Sequence, residues 1–294
     1  CTSMLNVAEL KGLLPKELRD TKVICYFHEN QLTYPAGKHY KFDSSLCIIQ
    51  INSAHAADEL WFNSAYHRDD FIKAANHFLK NSPDGDPDLL EDIRHKIHHP
   101  GIDDTGELLD KPKGTLTISW AARWEDEKNP QLFFQALRQV KQRGHKFKVN
   151  VLGEALDLIP DYFTEAEKEF ADEIVHWGYQ ESKEAYFQVL KESDIFISTA
   201  NHEFFGISAV EALSCGCLPV VPNKLAYPEV LKGFEDCFYK ADSSRHLIEK
   251  IIEMIEQKKN KTWPHSPESC QQAASKYRWS ILVPQMDKQL RVED

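Results

Sequence analysis

No apolar run in the sequence approaches the ~20 residues that a membrane helix needs, which excludes a helical membrane span. No leader with a charged start, an apolar stretch and a small-residue cleavage site is visible, so a cytoplasmic location is expected. Basic residues are in the minority, 35 Lys+Arg against 46 Asp+Glu for a net charge of −11. That balance excludes a broadly basic nucleic-acid face but leaves room for a local patch. The 7 cysteines are an odd number without a disulfide-like framework. Cys215-x-Cys217 has no second ligand pair nearby, so reduced, buried thiols are expected and a metal site is not. The first residue is Cys1 rather than Met, and the chain is expected to lack its native start. What remains is an ordinary globular composition over 294 residues, enough for two α/β domains with real cores.

Residues 194–222 organise the rest. Residues 195–199 form a short β-branched apolar run, the pattern of a buried strand. Residues 200–205 are a polar-to-aromatic turn. Residues 206–214 carry Ala209, Val210 and Leu213 at helical spacing, and Cys215-Gly216 ends that helix. Residues 218–221 make the next buried strand, closed by Pro222. In a strand–turn–helix–strand unit, ligands sit at the carboxyl ends of the strands. The amides of Phe205, Gly206 and Ile207 at the helix start suit a phosphate. Glu203 lies beside that seat. Glu211 lies two turns deeper, where it can reach the hydroxyls of a ribose. The plainer alternative makes Glu203 a helix-end charge worth about 0.3–1 kcal/mol and Glu211 a solvated face residue.

The first part of the chain is less regular. A short amphipathic segment over 1–20 precedes a strand at 21–27, which runs into His28-Glu29-Asn30-Gln31. Such a polar block at a strand's carboxyl end predicts a site loop. His28 can donate to a sugar hydroxyl or a phosphate, or can be a structural histidine. A helix is expected over 42–57, a strand over 59–63 and a helix capped by Ser64 running to 79. Residues 81–88 read as a solvated turn, 89–96 as a helix, and 104–113 as the interdomain linker. Beyond it, strands at 115–120, 147–152 and 174–177 alternate with helices at 130–143, 164–171 and 183–192. Helices at 243–256, 266–275 and 280–292 follow. The alternation predicts a doubly wound parallel sheet. Arg123 and Lys128 stand just before a helix, where cations oppose its dipole. Their options are an anionic ligand such as a diphosphate, held by charge-assisted bonds, or pairing with Glu125, Asp126 and Glu127.

The carboxylate at 203, Phe205-Gly206, Glu211-Ala212, Gly216 and Pro219-Val220-Val221 together resemble the E-x7-E donor site of retaining GT-B glycosyltransferases. The resemblance implies two Rossmann-like domains facing a cleft, the first truncated at its N-terminus. It implies an acceptor-side domain at 1–105, a nucleotide-sugar-binding domain at 112–278, and a C-terminal helix, 279–294, crossing back. By the same resemblance Glu203 meets the donor sugar, Glu211 the ribose, and Phe205, Gly206 and Ile207 the diphosphate. Arg123 and Lys128 match the family's paired cations. Longer stretches narrow the match. Residues 26–35, His176-Trp177-Gly178-Tyr179, residues 186–190 and His202-Glu203-Phe204-Phe205-Gly206 look like the tRNA-queuosine α-mannosyltransferase family. That resemblance implies transfer of mannose from GDP-mannose to queuosine in tRNA(Asp), with retention. It makes His28 an active-site histidine and leaves Glu29, Asn30 and Gln31 as acceptor or cleft candidates. No cofactor beyond the donor is implied. Two other classes remain open: a related enzyme acting on a glycan or lipid, and a non-catalytic nucleotide-sugar-binding fragment.

Overall fold

The computed structural model describes residues 1–35, 43–155 and 158–290. The chain divides into two compact units, Cys1–Pro100 and Gly101–Asp294.

In the first unit, α1 (Val7–Leu13) precedes β1 (Ile24–Phe27), α2 (Ser44–Ala56), β2 (Glu59–Phe62), α3 (Ala65–Lys80) and β3 (His95–Ile97). The strands are parallel in the order β1-β2-β3. Residues 1–3 run alongside β1, with a parallel bridge between Thr2 and Tyr26. Side-chain caps start the helices: Asn6 accepts from the Glu9 amide, Asp43 from Ser45 and Ser64 from His67. The core is aromatic, with the ring of Phe27 5.1 Å from that of Phe62 and 4.5 Å from that of Phe71. The helix expected over 89–96 does not form. The chain turns there and its last residues become β3, because β2 offers a free ladder: the Leu60 amide donates to Arg94 O and the His98 amide to Phe62 O, each at 2.8 Å.

The second unit is one parallel sheet in the order β6-β5-β4-β7-β8. Its strands are β4 (Leu116–Ala121), β5 (Phe147–Leu152), β6 (Ile174–Gly178), β7 (Ile195–Ile197) and β8 (Leu218–Val220). Its helices are α4 (Pro130–Gln142), α5 (Asp161–Glu169), α6 (Lys183–Lys191), α7 (Ile207–Ser214), α8 (Tyr227–Val230), α9 (Ser244–Asn260), α10 (Pro267–Ala274) and α11 (Trp279–Leu290). The topology reverses between β4 and β7, and such a switch point opens a crevice at the strands' carboxyl ends. Phe133, Leu137 and Val140 of α4 are fully buried, as their 3.6-residue spacing requires. Trp120, Trp124, Phe134, Phe163 and Trp177 extend this core, with Trp124 stacked 4.2 Å from Phe163.

Two stretches behave differently from their sequence reading. Residues 101–105, which the resemblance puts in the acceptor-side domain, belong to the second unit. There the Ile102 amide donates to Tyr277 O at 2.8 Å, and the Trp279 amide to Ile102 O at 3.0 Å. The polar stretch read as a linker is fastened down. Thr105 Oγ1 bonds Ser214, and Lys111 Nζ donates to the carbonyls of Lys191, Ser193 and Cys215 at 2.6–3.0 Å. Those carbonyls end α6 and α7, where a cation is favoured by the helix dipole.

Candidate active site

A cavity of about 250 Å³ lies at the switch point of the second sheet. The ends of β4 and β7 form its floor through Trp120, Ala121, Phe196 and Ile197. Arg123, Lys128, Glu203 and the start of α7 at Gly206, Ile207 and Ser208 form its walls. Residues far apart in sequence meet here because two loops are tied together. Thr199 Oγ1 donates to Lys128 O at 2.9 Å, and the Asn201 amide to Glu127 O at 2.8 Å. Trp120 Nε1 donates to Thr199 Oγ1 at 3.3 Å and locks the knot to β4.

Of the two options open to the cations, the structure shows the pairing with carboxylates. Arg123 and Lys128 line the cavity, and they also pair with carboxylates. Arg123 Nη2 lies 2.9 Å from Glu127 and 3.4 Å from Glu125. Lys128 Nζ lies 3.4 Å from both Glu127 and Glu203 and donates to His202 O at 3.3 Å. Asp126 instead accepts from Tyr162 Oη at 2.9 Å. Glu127, which the sequence offers only as a competing partner, bridges the two cations with its side chain 8% exposed.

Gly206 caps α7 with φ +87°, a left-handed conformation natural to glycine. A Cβ there would meet Tyr227 Cε1 at 2.7 Å, so the buried Tyr227 ring holds the turn tight. Tyr227 Oη lies 2.7 Å from Ser198 Oγ. Of the three residues expected to present amides, Gly206 and Ile207 line the cavity and Ser208 joins them. Phe205 is buried, its ring edge-on to Tyr277 at 5.3 Å and its amide 3.5 Å from Glu203 Oε1. Glu211 is buried as well, on α7 one turn beyond Ser208. Burial raises its pKa, while Lys183 and Tyr186 act in the opposite direction. Ser208 and Tyr227 are among the lining residues that sequence reasoning did not single out, and Glu127 figures there only as a competing partner. Gly206-Ile207-Ser208 carried a local signal as a helix start, whereas Tyr227 comes from a four-residue helix without periodicity.

In the first unit, Phe27, Phe62 and Ile97 stand level across the sheet, so His28, Asn63 and His98 all follow at one edge. His28 is exposed, and Asn63 Nδ2 holds its carbonyl at 2.8 Å. Its ring lies 4.2 Å from that of Tyr26. Protein atoms packed on the ring displace water and hold its pKa below the usual histidine value. Asn30 is fully buried. Its Nδ2 donates to Asp70 and its Oδ1 accepts from the Thr33 amide and hydroxyl, which shapes the loop. Gln31 is buried too; its amide donates to Gln50 Oε1 at 2.7 Å and its Nε2 to Glu29 at 3.3 Å. His99 Nδ1 lies 2.8 Å from Asn63 O, and the His98 ring 3.9 Å from Trp61.

Comparison with known proteins follows the same division. Residues 1–99 match the family described as tRNA-queuosine alpha-mannosyltransferase N-terminal, and residues 106–276 match glycosyl transferases group 1. Over 245 residues the chain is 37% identical to the tRNA-queuosine alpha-mannosyltransferase of Drosophila melanogaster, covering 78% of this chain and 64% of that protein. The chain therefore spans less than two thirds of that relative's length. Sucrose-phosphate synthase from Thermosynechococcus elongatus superposes with a TM-score of 0.71 at 12% identity, over 91% of this chain and 67% of the other. Anabaena HepE in complex with UDP superposes with a TM-score of 0.68 at 17% identity, over 97% and 75%. These likenesses establish the shared GT-B fold.

Proposed function

Because the chain belongs to the tRNA-queuosine alpha-mannosyltransferase family within the group 1 glycosyl transferases, we propose that it is a retaining glycosyltransferase that moves mannose from GDP-mannose to queuosine in tRNA(Asp). The observation that carries the donor half is the convergence of Arg123, Lys128, Glu203 and the start of α7 on one cavity at the sheet's switch point. The Drosophila relative's name supports the acceptor, and the UDP held by HepE supports a nucleotide donor.

The chemistry proposed is departure of the nucleoside diphosphate. Arg123, Lys128 and the α7 amides stabilise the charge that grows on the leaving group. In doing so the two cations exchange part of their pairing with Glu127 and Glu203 for phosphate oxygens. With that positive charge supplied by side chains, we assign no resident metal or cofactor. Glu203 orients the sugar and Glu211 accepts from the ribose hydroxyls. Same-face attack, assisted by the leaving phosphate, accounts for retention. We assign His28, an active-site histidine by the family resemblance, to positioning the sugar. We place the enzyme in the cytoplasm with its tRNA; no helix among the described residues is long and apolar enough to cross a membrane.

The test is a binding titration of GDP-mannose against UDP-glucose, GDP and UDP, followed by transfer of labelled mannose to queuosine-containing tRNA. GDP-mannose binding tightest, with transfer, supports the reading. Arg123→Ala and Lys128→Ala each remove charge-assisted bonds worth about 1.5–3 kcal/mol, so donor affinity falls roughly 10- to 150-fold. Unchanged affinity in both variants would sink the assignment. The net charge of −11 favours one second reading, a saccharide acceptor, which predicts transfer to a glycan and indifference to tRNA.

A further inference from the structure

We propose that Lys183 is a positioning residue for Glu211, holding that buried carboxylate aimed so that it accepts from the paired hydroxyls of a nucleotide ribose. This rests on the reading of the second unit as a nucleotide-sugar site and goes beyond it, naming a group that acts through Glu211 without touching the donor.

The placement of Glu211 is costly unless something answers its charge. Its side chain is 10% exposed, and an ionised carboxylate that far out of water is unfavourable without a partner. The partner comes from α6. Lys183 Nζ approaches from the solvent side, 3.6 Å from Glu211 Oε1 and 2.6 Å from Asp103 Oδ2. Tyr186, three residues on and so on the same helix face, pulls the Glu211 pKa in the same direction as Lys183. Ser208 lines the cavity, one helical turn from Glu211. Glu211 thus stands between Lys183 at the surface and a turn that lines the donor cavity.

The charged and titratable groups facing Glu211 are Lys183 and Tyr186 of α6, Asp103 of the turn before β4, and the Cys215 thiol at the end of α7. Burial pushes Glu211 up, and Asp103 adds to that; Lys183 and Tyr186 pull it back down. Lys183 itself is desolvated, but its two carboxylate partners outweigh that and hold it cationic. Removing Lys183 therefore leaves Glu211 protonated over a wider pH range. A protonated carboxyl is the weaker acceptor for two hydroxyls. The effect on binding must then appear only with ligands that carry the diol.

The experiment uses the full chain, with GDP and UDP titrated calorimetrically between about pH 5 and 8. The tighter nucleotide is then compared with its 2′,3′-dideoxy form. Glu211→Gln is the reference variant. Lys183→Met is expected to weaken the ribonucleotide about tenfold near neutral pH, to leave the dideoxynucleotide unchanged, and to move the acid loss of binding to higher pH. Lys183→Arg should restore most of the affinity. If Glu211→Gln discriminates the two nucleotides and Lys183→Met does not, the inference falls and the donor-site reading stands. If Lys183→Met weakens both nucleotides alike, or only lowers the melting temperature, Lys183 is a surface tether and the inference is overturned. If Glu211→Gln itself shows no ribose selectivity, the assigned role of Glu211 fails and takes the inference with it.

Discussion

Gly206→Ala probes the turn that opens α7 into the cavity. Two costs add at this position. The backbone sits at φ +87°, where a Cβ costs about 1–2 kcal/mol. That Cβ also lands 2.7 Å from Tyr227 Cε1. The ring cannot easily retreat, being 2% exposed and hydrogen-bonded to Ser198 Oγ at 2.7 Å. Overpacking of this kind costs about 1–3 kcal/mol, so the sum is roughly 2–5 kcal/mol. In a domain of 150–250 residues each kcal/mol moves the melting temperature by about 2–4 °C. The expected fall for the second unit is then about 4–20 °C. Gly114→Ala is the matched control. Gly114 has φ +94°, but nothing stands within 4 Å of its added Cβ, so it incurs only the backbone cost. Thermal denaturation of both variants against the parent isolates the Tyr227 contact as their difference. Equal melting losses would refute the reasoning, because the close approach would then have no energetic content.

What could be read from the sequence, and what could not, divides along local and non-local causes. The spacing at 147–152 predicts the strand observed as Phe147–Leu152, and Phe133, Leu137 and Val140 with Pro130 predict a helix observed as Pro130–Gln142. These patterns are set by residues a turn or a pleat apart. The strand β3 escapes such reading, since it has three residues, two of them exposed. Its conformation comes from the ladder that β2 offers, not from its own composition. The same division holds at the site. Glu203, Gly206 and the cations at 123 and 128 announce themselves through composition next to strand ends. That Glu127 bridges both cations is not legible, because a carboxylate beside two cations in sequence can face either or neither. Lys183 reaches Glu211 from the preceding helix, and only packing of α6 on α7 brings it there. Sequence reading thus found, through short motifs, groups that line the cavity and missed those that hold such groups in place.

Two further outcomes follow from burial and charge. Every cysteine except Cys1 is buried, and burial pushes the thiol of Cys25 up to about 11 and that of Cys270 to about 12. A thiol reagent near pH 8 should therefore titrate Cys1 rapidly in the native chain and all 7 cysteines after denaturation; fast native reaction of several thiols would contradict the packing. The second outcome concerns acid. Glu59 is 3% exposed in the first unit. Burial alone would raise its pKa, but a 2.6 Å bond from Trp61 Nε1 and contacts of 3.0 Å from Lys22 and Lys96 outweigh it. Together they hold the carboxyl down from 4.5 to about 2. A carboxyl depressed in the folded state contributes stability that is complete above its unfolded value and lost as pH falls through the folded one. The full shift corresponds to about 3 kcal/mol, and the two half-exposed lysines reduce that to roughly 1–2 kcal/mol through solvent screening. Melting of the first unit should therefore drop between about pH 4.5 and pH 2. Glu59→Gln should lower the neutral-pH melting temperature and flatten that acid limb, because it keeps the shape but removes the titrating group. An acid limb as steep in Glu59→Gln as in the parent would mean that other carboxylates set the acid limit and that the Glu59 cluster contributes little.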